Sequence, residues 1–166
     1  MRITKYSLGM TPEKTNMLIK ENATNYAGCD NLTIPWKVAD MMRSVFNLGN
    51  MAEEYFYVLA LNAKCKPIGI FEISHGESTF SYVDPKAVFS RLLLCGGPIW
   101  IAVHNHPSGD CTPSQADIEL TNRLYKGGKL LNIQLVDHII ISNEDFFSFR
   151  EHDMLNEQEG ESLYDN

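Results

Sequence analysis

Two histidines and an aspartate lie close together in the chain, and their types and spacing suit a metal site. His104 and His106 follow an apolar run, residues 98–103, of the kind that forms a buried strand. Because residues two apart in a strand point to the same face, both imidazoles can be directed at one point. The Pro- and Gly-containing segment 107–113 predicts a turn that brings Asp117 back to that point. Two imidazoles and one carboxylate are a catalytic zinc set, since they leave a fourth tetrahedral position for water.

A second feature of this stretch is Ser114, which stands three residues before Asp117 where a helix is predicted to start. Ser-x-x-Asp at a helix start resembles a capping box, although Glu or Gln is usual at the last position. The capping and metal interpretations are compatible, because Ser114 can cap the helix while its hydroxyl faces the metal. Asp117 lies one turn into the helix on the same face as Ser114, which suits a ligand on a rigid element.

Two further residues near this stretch leave alternatives open. His138 lies within a predicted strand, where it is either a core histidine or a residue that orients a ligand by a hydrogen bond. Cys111 lies in the loop between the histidines and Asp117. We interpret Cys111 as a loop residue, because the proposed zinc set needs no thiolate there, and oxidation or adventitious metal binding is the alternative.

The spacing of these residues resembles that of a known family. His-x-His-Pro followed by Ser-x-x-Asp is similar to the JAMM (MPN-plus) metalloprotease motif, and the longer string 104–110 looks like the RadC branch of that superfamily. Segments similar to other parts of that branch are 54–62, 83–89 and 137–140. The resemblance covers about residues 34–150, whereas residues 1–32 match no family that we recognise.

The resemblance implies roles for particular residues. In JAMM enzymes a glutamate on the preceding sheet accepts a proton from the zinc-activated water, and Glu54 is the matching residue here. Without the resemblance, a charged residue at a strand start indicates a solvated end. The adjacent Glu53 points the other way in a strand. The resemblance further implies that His104, His106 and Asp117 hold zinc (Zn2+), and Ser114 would donate a hydrogen bond to the developing oxyanion.

The patterning of the chain predicts an α+β or mixed α/β fold, because strands and helices mix without strict alternation. The resemblance implies a mainly antiparallel sheet flanked by helices. We expect an N-terminal extension at 1–32, a RadC-like JAMM domain at 33–150 and an acidic, disordered tail at 151–166. The predicted helices are 11–20 with Thr11 as N-cap, 33–48, 85–95, and 114–125 ended by Gly127-Gly128. The predicted strands are 54–61, 67–75, 78–83, 98–104, 133–141 and 146–150.

Composition limits the partners and the compartment. The formal net charge is −7 and the basic residues are scattered, so the overall field would repel DNA. Residues 1–32 are too few for the helix-hairpin-helix region that RadC proteins carry before the JAMM domain, and nucleic-acid binding is not predicted.

No apolar run approaches the roughly 20 residues of a membrane helix and no signal core follows Met1, so we expect a cytoplasmic protein without membrane contact. The four cysteines have no paired spacing and are expected to be reduced thiols.

The functional hypothesis that follows is a zinc-dependent hydrolase of peptide or isopeptide bonds, acting on a protein or peptide substrate. One alternative is a DNA-repair or mobile-element accessory protein that acts by binding nucleic acid or protein, which would need a basic groove. Another is a metal-bearing scaffold without catalysis, which would have no use for Glu54 and Ser114.

Overall fold

The computed structural model describes residues 1–76 and 83–155. Those residues form seven strands and three α-helices. In chain order the elements are β1 (Arg2–Met10), β2 (Asn16–Asn25), α1 (Pro35–Phe46), a 3-10 turn (Leu48–Asn50), β3 (Glu54–Leu61), β4 (Pro67–Gly76), α2 (Pro85–Cys95), β5 (Ile99–Asn105), α3 (Gln115–Leu131), β6 (Gln134–Ile141) and β7 (Phe146–Ser148).

All seven strands of the described residues belong to one sheet with the order β2-β1-β4-β3-β5-β6-β7. The pairs β1–β4 and β5–β6 are parallel, and the other four pairs are antiparallel. The fold is therefore α+β with a mainly antiparallel sheet, as predicted. The parallel neighbours β5 and β6 are connected through α3, which supplies the crossover that parallel pairing requires.

Helices cover both faces of the sheet, and the alternation of each strand decides which residues meet which helix. Val58, Trp100 and Ala102 point to the face that packs against α2 and α3. Leu59 and Val103 point to the opposite face, which packs against α1. His104 continues the first series and therefore lies on the α2–α3 side.

The predicted helix at residues 11–20 is wrong, because residues 16–25 form β2 and pair with β1 in an antiparallel hairpin. Thr11, predicted from the sequence to be a helix N-cap, instead closes the hairpin turn. Its N–H donates to the Thr15 carbonyl at 2.8 Å. Lys14 adopts a positive φ of 66° in that turn. A helix of this length is marginal in water and this segment has no apolar stripe, so pairing along the sheet edge prevails.

Helix α3 does not end at Gly127-Gly128 but continues to Leu131, with Asn132 in the left-handed conformation as its C-cap. The two glycines instead allow Phe89 and the backbone of Ile133 to pack closely against the helix. A Cβ on Gly127 would lie 2.7 Å from the Phe89 ring, and one on Gly128 would lie 2.4 Å from the carbonyl oxygen of Ile133. A side chain at Gly128 would therefore meet a backbone atom, so glycine is required there, whereas at Gly127 the Phe89 ring would have to shift.

The remaining sequence predictions agree with the structure within a few residues. The helix predicted at 33–48 begins at Pro35 and ends at Phe46. The strand predicted at 78–83 lies, apart from Val83, outside the described residues, as does the tail from residue 156 onward. All four cysteines are free. Among the described residues, no helix has the length and apolar character needed to cross a membrane.

Candidate metal centre

The two histidines of the motif lie at the end of β5, at the centre of the sheet. His104 is the last but one residue of the strand, is only 5% exposed, and stacks on Phe56 of β3 with ring centroids 6.0 Å apart. His106 has left the strand, but its N–H still donates to the carbonyl of Ile141 in β6 at 3.0 Å. Its Nδ1 lies 2.7 Å from the carbonyl oxygen of Asp110 in the following turn. Both rings are thus fixed by neighbouring elements.

The carboxylate of the motif comes from the first turn of α3. Ser114 is the N-cap, and its Oγ accepts a hydrogen bond from the Asp117 N–H at 3.2 Å. Asp117 Oδ2 in turn accepts from the Ser114 N–H at 2.8 Å and from the Ser114 hydroxyl at 2.6 Å. The capping box predicted from Ser-x-x-Asp is confirmed, and it fixes the side chain of Asp117 while leaving Oδ1 free of Ser114.

The three side chains converge on one small volume. The Nε2 atoms of His104 and His106 are 3.0 Å apart, and they lie 3.2 and 3.5 Å from Asp117 Oδ1 and Oδ2 respectively. Tetrahedral zinc ligands, each 2.0–2.1 Å from the ion, are separated by about 3.3 Å. Each printed distance is close to that value, the two histidines lying nearest to different oxygens of Asp117, so the three residues could hold a metal ion.

A chain of hydrogen bonds behind His104 determines which nitrogen carries its proton. The Thr121 hydroxyl donates to the Asp117 carbonyl at 2.6 Å, so it accepts from His138 Nδ1, also at 2.6 Å. A neutral His138 with its proton on Nδ1 must accept at Nε2, and the donor is His104 Nδ1 at 2.8 Å. His104 then presents the lone pair of Nε2 to the site. His106 presents the same atom, because its Nδ1 donates to a carbonyl.

The electrostatics follow from this arrangement. Burial opposes it, but in the metal-free chain the imidazolium forms of His104 and His106, together with the Ser114 hydroxyl, donate to Asp117 and hold its pKa far below its usual range. Burial also lowers the pKa of His106, yet the hydrogen bond with Asp117 outweighs it and the pKa is raised. Complete burial lowers the pKa of His138, which keeps that ring neutral. Two nitrogen lone pairs and a carboxylate directed at one another repel unless a cation or proton lies between them.

Glu54 is the first residue of β3 and lies on the same face of the sheet as His104. The antiparallel register pairs Phe56 with His104, so continuing it by two residues sets Glu54 opposite His106. Glu54 is half-buried, and its charge contributes to the raised pKa of His106. Glu53 is exposed. The structure therefore brings the glutamate indicated by the family resemblance to the edge of the ligand cluster.

Sequence reasoning missed Thr121, which is only 1% exposed and links α3 to His138. A signal was available, because Thr121 stands four residues after Asp117 and so lies on the same helical face. His138 meets both interpretations left open for it: it is a core residue that stacks on Phe149, and it hydrogen-bonds to His104. Cys111 is buried beside Phe149 in a small apolar cluster, which agrees with a structural role in the loop.

Comparisons with known proteins show the family to which the chain belongs. The RadC-like JAB domain family matches residues 32–154. A UPF0758 protein of Chlorobaculum parvum is 41% identical over 104 residues, which are 63% of this chain and 47% of the relative. A UPF0758 protein of Geotalea uraniireducens is 36% identical over 133 residues, covering 80% of this chain and 58% of the relative. The chain spans about half the length of the curated relatives it matches.

Proposed function

Since the chain belongs to the family of RadC-like JAB domains, we propose that it is a zinc-dependent hydrolase of peptide or isopeptide bonds. The observation that carries the proposal is the convergence of two imidazole lone pairs and a carboxylate within 3.5 Å of one another. Both neutral imidazoles have their Nδ1 proton committed to a hydrogen bond, so relief of the repulsion requires either an added proton, which the raised pKa of His106 favours, or a cation. A divalent cation supplies that relief, and the donor set of nitrogen and carboxylate oxygen suits zinc.

Zinc held by His104, His106 and Asp117 would lower the pKa of water and polarise the scissile carbonyl. In the proposed reaction Glu54 accepts a proton as the water oxygen bonds to the carbonyl carbon. The C–N bond then breaks, and Glu54 returns the proton to the leaving amine, so that a carboxylate and an amine are formed. The Ser114 hydroxyl, which donates to Asp117 in this structure, would rotate to donate to the developing oxyanion.

The substrate class proposed here is an amide bond of a protein or peptide. The chemistry supports it, because a base beside the metal ligands serves both the attack on the carbonyl and the protonation of a poor leaving amine. Histidine and carboxylate side chains bind the metal only in their deprotonated forms, so zinc affinity and activity should both fall as the solution becomes acidic.

Metal analysis of the purified full chain tests the proposal. Protein made in zinc-replete medium is expected to carry about one zinc per chain, as one three-residue site predicts. The Asp117→Ala variant should lose most of it. Asp40→Ala is the matched control, because Asp40 is a helical aspartate on α1, against the other face of the sheet. Equal zinc in the wild type and the Asp117→Ala variant would overturn the ligand assignment.

A further inference from the structure

The side chain of Asn105, between the two histidines, makes two hydrogen bonds that metal binding does not require. It is only 1% exposed, and strand alternation turns it away from the face that carries the ligand rings. Its Oδ1 accepts a hydrogen bond from the Tyr55 N–H at 2.8 Å, and its Nδ2 donates to the Glu53 carbonyl at 2.9 Å. The carboxamide therefore holds the backbone on both sides of Glu54.

This contact occurs where the backbone pairing of β3 with β5 stops. The ladder between the two strands ends at Phe56 and His104. One residue further along β5, the backbone of Asn105 pairs with Ile141 of β6. The side chain then replaces the missing backbone partner, since a carboxamide offers the same donor and acceptor as a peptide group. It extends the pairing to the first residue of β3.

Only a few side chains can make this pair of contacts. Aspartate has the shape but no donor for the Glu53 carbonyl, and serine is too short to reach two groups on one strand. An alanine would leave the Tyr55 N–H and the Glu53 carbonyl without this partner, which destabilises that backbone wherever the two groups stay buried. The backbone that carries Glu54 would then be held by β4 alone, where Glu54 pairs with Gly76.

We infer that Asn105 is a positioning residue that sets Glu54 against the ligand cluster. The inference rests on the proposed function, in which Glu54 transfers the proton. Asn105 stands directly between His104 and His106 in the chain, so one peptide segment fixes both ligands and the base. A displacement of about 1 Å in a catalytic group can reduce a rate by about 10²-fold. The position that Asn105 gives to Glu54 therefore matters for the rate of the proposed reaction.

Amide hydrogen exchange tests the contact itself, without any metal or substrate. In the Asn105→Ala variant the Tyr55 amide is expected to exchange at least about 10-fold faster than in the wild type, because it loses its buried acceptor. Asn62→Ala is the matched control: Asn62 follows β3, and its Oδ1 accepts from the N–H groups of Lys64 and Lys66. That variant should accelerate exchange at its own partners and leave Tyr55 unchanged. Unchanged exchange of Tyr55 in Asn105→Ala would overturn the inference.

A Co(II)-substituted chain tests the effect on the site. The visible absorption of Co(II) reports the surroundings of the ion, and Glu54→Gln should move the pH midpoint of that absorption. Asn105→Ala is expected to bind one Co(II) and to move the midpoint in the same direction. The double variant should move it no further than Glu54→Gln alone, because residues that act through one another are non-additive.

Three outcomes of the Co(II) experiment separate the hypotheses. A wild-type midpoint in Asn105→Ala, or fully additive shifts in the double variant, overturns the positioning role while leaving the metal site intact. Failure of the wild-type chain to bind Co(II) overturns the proposed function instead. If Asn105→Ala does not fold, Asn105→Leu takes its place: leucine is close to asparagine in size, lacks both the acceptor for Tyr55 and the donor to Glu53, and adds no charge, so the same shift is expected.

Discussion

At the scale of single residues, the site is defined by the direction of hydrogen bonds. His104 and His106 each use Nδ1 as a donor, and both therefore direct an Nε2 lone pair toward Asp117. Tautomers fixed in this way raise the basicity of a ligand and orient its ring before a metal binds. The chain through His138 and Thr121 is long because His104 is buried and has no solvent to complete its hydrogen bonds.

The first prediction concerns His106, the more exposed of the two candidate histidine ligands. His106→Ala removes one of three donor atoms, so zinc affinity should fall by about 10²-fold or more. His75→Ala is the control, because His75 is exposed and bonds to Glu72 on β4. Zinc content per chain, measured after dialysis against a weak chelator, distinguishes the two variants. Full occupancy in His106→Ala would remove it from the ligand set.

The second prediction concerns Thr121, which contacts no metal donor atom directly. Thr121→Val keeps the shape but removes the hydroxyl that orders the His138 proton, so zinc should bind about 10- to 100-fold more weakly. Thr121→Ser keeps the hydroxyl and should bind zinc nearly as the wild type does. Competition with a chromophoric chelator gives both affinities. Equal affinities in the valine and serine variants would contradict the proton assignment.

The third prediction separates metal binding from catalysis. With a cleavable amide substrate, Glu54→Gln should retain zinc and lose about 10²-fold or more in kcat, because glutamine cannot accept the proton. Glu53→Gln is the matched control, since Glu53 is adjacent and exposed. The two rates are compared at equal zinc occupancy. A glutamine variant of Glu54 with the wild-type rate would exclude Glu54 as the base.

At the scale of elements, the site combines a strand end with a helix start. Strand β5 ends at Asn105, level with Ile141 at the end of β6, and this leaves His106 partly exposed while His104 stays buried. Helix α3 starts with a capping box whose acidic residue is also a candidate ligand. A carboxylate in the first turn of a helix is favoured by the helix dipole, so the position stabilises Asp117 in the charged form that binds metal.

The fourth prediction concerns the packing of α3. Gly128→Ala should destabilise the fold by about 1–3 kcal/mol, because its Cβ would meet the Ile133 carbonyl, a backbone atom that cannot move aside. The better helix propensity of alanine offsets part of this, by about 1 kcal/mol. Urea unfolding measures the difference, with the exposed Lys126→Ala as the control. A Gly128→Ala variant as stable as the wild type would show that the C-terminal end of α3 rearranges freely.

At the scale of the whole molecule, the strand order brings the functional residues together. The start of β3 and the end of β5 meet because the two strands are antiparallel neighbours, and β6 continues the sheet on the other side. The formal charge of −7 is spread over a chain whose α3 carries three exposed basic residues, Arg123, Lys126 and Lys129. Three exposed basic residues bind a polyanion such as DNA only weakly.

The fifth prediction follows from that charge distribution. Even if all three basic residues of α3 contact phosphates, the logarithm of the affinity should fall with the logarithm of salt with a slope of only about −2.7. We therefore expect no tight nonspecific binding of duplex or single-stranded DNA at physiological salt. Fluorescence anisotropy over a salt series checks this. Sub-micromolar affinity with a steep salt slope would favour the accessory-protein hypothesis over amide hydrolysis.

Elements with strong local signals are predictable from the amino-acid sequence alone. The buried strand before His104, the turn with its prolines and glycine, and the capping residues at Ser114 and Asp117 are all local, and the structure agrees with each of them. Periodicity and turn chemistry act between residues close in the chain, so the candidate ligand residues are predictable from the sequence.

Features that depend on partners distant in the chain emerge only when the sheet has assembled. Residues 16–25 form a strand because β1 offers an edge to pair with, and the neighbours of Gly127 and Gly128, Phe89 and Ile133, come close only in the folded chain. The links from Thr121 to His138 and from Asn105 to the backbone beside Glu54 join residues 17 and about 50 positions apart. Hydrogen bonds of that kind leave no periodic trace in a sequence, because their geometry exists only after the sheet has assembled.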